Sequence, residues 1–126
     1  MVDIAQQIAH WRDGALEEWQ VASELLEKGR IRHALFFAHL ALEKALKAHV
    51  CRHTGDLAPR SHNLARLAEV AAVEPTKSHL QVLSILNEFS RAGRYPDDRV
   101  PLPTLDQARL RIGEANEVLQ WLMQLL

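Results

Sequence analysis

Proline cannot sit inside a helix without breaking it, because it lacks a backbone N–H and its ring collides with the preceding turn. In this 126-residue chain Pro59, Pro75, Pro96, Pro101 and Pro103 all fall between apolar-periodic stretches, and none falls inside one. The stretches they delimit repeat apolar residues three or four apart, the spacing of a helical face. Ile4, Ile8, Trp11, Ala15, Trp19, Ala22 and Leu26 mark a first helix from Asp3 to about Lys28, with Asp3 as its cap and Gly29 as its end. Ile31, Leu35, Ala38, Leu42, Ala45 and His49 mark a second, from Arg30 to His53, closed by Gly55. Ser61 is the expected cap of a short third helix with Leu64, Leu67 and Val70 or Ala71 inward. Ser78 with Gln81, and Thr104 with Gln107, read as capping boxes opening a fourth helix over 78–91 and a fifth over the C-terminal stretch. Residues 92–103 read as a loop, with Gly93 as a left-handed stop. No strand-like alternation competes. The expected fold is all-α: one domain over residues 1–126, an antiparallel up-and-down bundle of four main helices plus one short helix.

With 48% apolar and 25% charged residues, the chain can bury one core without disulfide or structural metal. Its single cysteine, Cys51, and an N-terminus without a signal-like apolar run point to a reducing, cytoplasmic setting. No apolar run approaches the roughly 18 residues that span a bilayer, so no membrane role is expected. A net charge of −1 argues against an all-over basic nucleic-acid binder and leaves local arginine clusters for anions. The second helix is unusual. In ALFFAHLAL, Phe37, Leu40 and Ala41 point away from the face of Leu35, Leu42 and Leu46, so either other helices surround it or its far side meets a second subunit. A homodimer is the expectation.

Three motifs in register carry a family resemblance: A-x-x-A-L-E-K-A-x-K-A from Ala38 to Ala48, P-x-S-H-N-L from Pro59 to Leu64, and R-Y-P-D from Arg94 to Asp97. Together they resemble the HEPN family, helical bundles named for higher eukaryotes and prokaryotes nucleotide-binding, over nearly the whole chain. The resemblance implies a bundle of four main helices plus a short one, usually dimeric. It also implies a small, separately encoded nucleotidyltransferase as partner in a toxin–antitoxin-like system, and ATP or another nucleotide as ligand with no other cofactor. Catalytic members of the family are metal-independent ribonucleases that use an arginine and a histidine with four to six residues between them, paired across a dimer.

Only His39 has an arginine at that distance, Arg32, and its place near the start of the second helix departs from the family's late-helix position. Arg32, His39 and Glu43 fall on one helical stripe, continued by Lys47, so a cation, an imidazole and a carboxylate share an edge. The competing reading is a set of structural pairs, His39 with Glu43 and Glu43 with Lys47. His62 opens the third helix, where free N–H groups would welcome a phosphate; alternatively it ties its loop to the second helix. Arg94 and Tyr95, with Arg91 and Arg99 near, could grip phosphates or a partner's acidic face, or simply stop the fourth helix. His49 and His53 lack the glutamate of a zinc-protease pattern, so no metal is expected, and Cys51 reads as packing. There is no glycine-rich phosphate loop.

The reading that fits best is a binding component without catalytic activity of its own. Glu43, Lys47, His62, Arg94 and Tyr95 are its candidate nucleotide- or partner-binding residues, and RNA is a further possible ligand. The alternatives are an endoribonuclease toxin drawing on Arg32, His39 or His62, and a structural adaptor bundle.

Overall fold

A computed structural model describes residues 2–94 and 101–126, with the side chains of 92–94 outside the description. Five helices follow one another: α1 (Ile4–Glu27), α2 (Ile31–Thr54), α3 (Leu64–Val70), α4 (Lys77–Arg94) and α5 (Leu105–Leu125). No strand occurs among the described residues. This is the expected all-α bundle of four long helices and one short one. α2 is its axis, touching each of the other four, while α1 and α5 barely meet and α1 lies mainly along α2.

The sequence explains why α1 and α2 lie so close. Ala34, Ala38, Ala41, Ala45 and Ala48 recur every three or four residues of α2, and all are fully buried, as are Ala15 and Ala22 on α1. A helix surface of methyl groups lets a neighbouring backbone approach, and dispersion contacts multiply at that distance. Leu35, Leu42, Leu46 and Val50 fill the remaining space with Leu83 and Leu86 of α4 and Leu119 and Leu122 of α5. Ala41, expected to face a second subunit, is enclosed within the single chain, so the all-round apolar character of α2 is largely explained by its central place.

Caps follow the sequence at three ends. The Asp3 side chain accepts from Gln6 N at 3.1 Å, Gly55 closes α2 in the left-handed region at φ 66°, and Thr104 and Gln107 form the full reciprocal box. Two caps differ from expectation. Asn63, not Ser61, caps α3, accepting from Arg66 N at 3.3 Å, while the Ser61 hydroxyl accepts from Asn63 N. Thr76 and not Ser78 caps α4: Thr76 Oγ1 accepts from His79 N at 3.1 Å, and His79 Nδ1 accepts from Thr76 N. The His79 ring rests against Trp121 of α5, centroids 4.6 Å apart. α4 also passes through Gly93 to Arg94 instead of stopping at Arg91. A helical glycine costs only about 1 kcal/mol, too little to end a helix that tertiary packing supports. Half of the expected 92–103 loop, residues 95–100 with Tyr95 among them, lies outside the described residues.

Two local features make testable statements. Ala72, just beyond α3, adopts φ 56°, a conformation L-residues resist. Ala72→Gly is expected to raise stability by about 1 kcal/mol, read as a higher urea midpoint with an unchanged slope. The second is His49, buried on α2, whose Nε2–H donates to the Leu122 carbonyl at 2.8 Å and so ties α2 to the end of α5. Desolvation pushes its pKa below the ordinary value, against the raising effect of that bond. As pH falls through the ordinary histidine range the unfolded chain takes up a proton that the folded chain refuses, so stability is lost on acidification and none is lost above it. The melting temperature of the wild type should therefore fall more between pH 7 and pH 5 than that of His49→Gln, which keeps an N–H donor but cannot titrate.

Candidate functional site

α2 crosses the core carrying three polar side chains, His39, Glu43 and Lys47, one turn apart. Glu43 is 3% exposed, and a carboxylate so buried must be compensated or it would not remain ionised. Its Oε2 accepts from Lys47 Nζ at 3.3 Å and its Oε1 from His62 Nδ1 at 2.9 Å. His39 Nδ1 lies 4.0 Å from the same Oε1. Lys47 in turn rests over the Trp11 ring, 5.2 Å from its centroid, so α1 roofs the ion pair with an aromatic face.

A second node sits on α4. Asn87 Oδ1 accepts from both His39 Nε2 at 3.2 Å and Leu64 N at 3.0 Å, while its Nδ2 donates to Asn63 Oδ1 at 3.2 Å. One amide thus joins α2, α4 and the first turn of α3. The two nodes share His39 and form one polar cluster that holds the 55–63 connection and α3 against the bundle.

The placement of each candidate follows. His39, Glu43 and Lys47 are brought together with His62. Arg32 is not: it is exposed in the first turn of α2, while His39 is 0% exposed and holds Asn87, so the two occupy different environments despite their shared stripe. At His62, Nδ1–H is spent on Glu43, and two opening N–H groups of α3, those of Leu64 and Arg66, are taken by Asn87 and Asn63. Because a carboxylate only accepts, Nδ1 carries the proton of this bond, and Nε2 belongs to a ring whose side chain is 53% exposed. Arg94 ends α4; its side chain and all of Tyr95 lie outside the described residues. Among the described residues no group of three histidine, cysteine, aspartate or glutamate side chains is placed to hold a metal. Burial pushes the Cys51 thiol up, away from the reactive thiolate. Asn87 is the member that sequence reasoning missed: a lone asparagine on an amphipathic helix gives no periodic signal, and only the meeting of α2, α3 and α4 gives it a role.

A cleft of about 600 Å³ opens at the opposite end of α2, lined by His49, Arg52, His53, Glu74 and Trp121 among others. Its polar groups are partly engaged, since His49 and the Arg52 guanidinium donate to the Leu122 and Leu125 carbonyls and so cap α5. Among the described residues no helix is long and apolar enough to cross a membrane.

The sequence model of the HEPN domain matches residues 8–125, nearly the full chain. The chain belongs to the HEPN family. Solved structures agree on the fold of this HEPN chain. The crystal structure of TT1696 from Thermus thermophilus superposes with a TM-score of 0.79 at 22% identity, covering 95% of this chain and 98% of that one. The crystal structure of ST0689, an archaeal HEPN homologue, gives 0.72 at 23% identity, covering 93% and 95%. No curated protein matches the sequence. The A-L-E-K-A-x-K and S-H-N-L strings within the motifs that carry the resemblance supply Glu43, Lys47, His62 and Asn63, all members of the polar cluster.

The cluster predicts a particular pattern of stability. Glu43→Ala strands the Lys47 ammonium and is expected to cost about 3 kcal/mol or more in urea unfolding. Adding Lys47→Met removes the stranded charge, so the double variant should be more stable than Glu43→Ala alone. Equal losses in the two would mean that the pair is not coupled.

Proposed function

We propose that this HEPN bundle is the nucleotide-associated binding component of a two-protein, toxin–antitoxin-like system, working with a separately encoded small nucleotidyltransferase and without catalytic activity of its own. The observation that carries this reading is the environment of His39. The one histidine spaced from an arginine as a ribonuclease pair requires is sealed in the core and hydrogen-bonded to Asn87, out of reach of an RNA 2′-hydroxyl. Family membership supplies the nucleotide association, and Arg94 with Tyr95 in the R-Y-P-D motif remain the candidate contacts for a nucleotide or for the partner.

A specific observation favours a second reading, a metal-independent endoribonuclease based on His62. A carboxylate holds Nδ1–H while Nε2 belongs to a half-exposed ring, the arrangement in which a histidine is oriented as a general base. Arg94 would then supply the phosphate contact.

One pair of measurements separates them. Mixed-sequence RNA incubated with the purified protein in EDTA should stay intact, and titration calorimetry with ATP as the probe should show binding that Arg94→Ala weakens tenfold or more, about 1.4 kcal/mol. RNA cleavage that disappears in His62→Ala would overturn the binding-only reading. ATP binding unchanged in Arg94→Ala would remove that residue from the site.

A further inference from the structure

The cleft of about 600 Å³ at the C-terminal end of α2 shares no residue with the polar cluster around Glu43. Three parts of the chain wall it. His49, Arg52 and His53, at positions i, i+3 and i+4, turn one face of α2 toward it; Trp121 and Leu125 do the same from α5, and residues 71–74 close it beyond α3. Arg94 stands at the other end of α4, about 25 Å along that helix from its start near residue 74. The cleft is therefore separate from the proposed nucleotide contact.

Its lining carries both signs of charge, and neither is neutralised. Arg52 and Glu74 are exposed, and neither forms an ion pair among the described residues. Arg52 spends one N–H on the Leu125 carbonyl, which leaves the rest of its guanidinium fork and its whole charge for another partner. His49 adds an acceptor. It is 5% exposed, and its Nε2–H is committed to the Leu122 carbonyl. Burial, with the nearby Arg52 charge, holds its pKa below the ordinary value, so at neutral pH the ring is uncharged and Nδ1 keeps a lone pair. That nitrogen has no partner among the described residues and is not sealed from solvent, so it opens on the cleft that the ring lines. Trp121 supplies apolar surface, its half-buried ring braced by His79.

A guanidinium, a carboxylate, a neutral acceptor and an indole surface match a ligand that carries a carboxylate, an ammonium and a ring. An α-amino acid holds its ammonium one carbon from its carboxylate, so both groups can be met by side chains one helical turn apart, as Arg52 and His49 are. We propose that this cleft binds a free aromatic amino acid: Arg52 holds the carboxylate, Glu74 and His49 Nδ1 accept from the ammonium, and the ring lies against Trp121. A nucleotide fits it less well. Its several phosphate charges would meet one fixed cation, the Glu74 carboxylate and the negative dipole ends of both α2 and α5.

Titration calorimetry of the full chain at neutral pH, with L-tryptophan as the probe, tests this assignment. Saturable binding is expected. Indole-3-propionate, which lacks the ammonium, and tryptamine, which lacks the carboxylate, should each bind about tenfold or more weakly than L-tryptophan. Glu74→Gln should weaken L-tryptophan about tenfold while leaving indole-3-propionate unchanged. Arg52→Gln, which keeps a donor for the Leu125 carbonyl, should weaken L-tryptophan as much while leaving tryptamine unchanged. Circular dichroism checks the fold of both variants, and Glu74, exposed beyond α3, carries the test alone if Arg52→Gln unfolds. No saturable binding up to about 10 mM would overturn the proposal, and so would Glu74→Gln binding L-tryptophan like the wild type. ATP that displaces L-tryptophan and is itself lost in Arg52→Gln would give the cleft to the nucleotide and overturn it as well. ATP binding that weakens in Arg94→Ala without displacing L-tryptophan is the expected result of two separate sites.

Discussion

The burial of Glu43 is the constraint around which the rest of this bundle is arranged. An ionised carboxylate removed from water carries a penalty of several kcal/mol, and no single partner offsets it. Lys47 supplies opposite charge but is itself buried, and so carries a penalty of its own. Only when His62 adds a second donor, and Trp11 covers the ammonium, are both charges served. Those groups come from α1, α2 and the 55–63 connection, so satisfying one carboxylate requires three separate parts of the chain to be in place. A buried ion pair is weak evidence of net stability, since an apolar pair of equal volume could do as well. Its value here lies in specificity, because a slipped α2 would leave the charge without partners.

Asn87 extends the same logic to α4. With one oxygen accepting from an imidazole and a backbone N–H, and its amide donating to another asparagine, it uses most of its hydrogen-bonding capacity in a single geometry. α3 has only seven residues, too few to persist by itself, and depends on this anchorage and on the burial of Leu64 and Leu67. The residues of the family motifs are thereby given a physical role: they fasten the short helix and its connection to the central one.

What could be read from the sequence divides along local and non-local lines. The helix spans, the Asp3 and Gly55 ends and the Thr104–Gln107 box depend on residues within four positions of one another, and such signals survive in one dimension. The α3 and α4 caps are local too, yet Ser61 competed with Asn63 and Ser78 with Thr76. Each observed cap is accompanied by a tertiary contact that a one-dimensional reading does not carry, Asn63 with Asn87 and His79 with Trp121. For the site, the stripe of His39, Glu43 and Lys47 was visible from spacing, and so was the possibility that His62 ties its loop to α2. That His39 would be sealed while Arg32 stayed exposed was not visible. Helical periodicity places two residues on one stripe but does not say where along it the neighbouring elements end, and α4 covers the stripe at His39 and not about two turns earlier.

That boundary also bears on how α2 is charged. Its first turn holds Arg32 and His33 with no acid and no side-chain cap, while the last turn of α1 holds Glu24 and Glu27 and no base. Both helices are thus charged against their own dipoles, at a cost of a few tenths of a kcal/mol per residue. Antiparallel packing softens the cost, because each dipole end lies beside its opposite, but does not remove it. A chain selected for stability alone would exchange the two sets. Where a surface is electrostatically unfavourable in the isolated fold, a binding partner that neutralises it recovers that free energy on association.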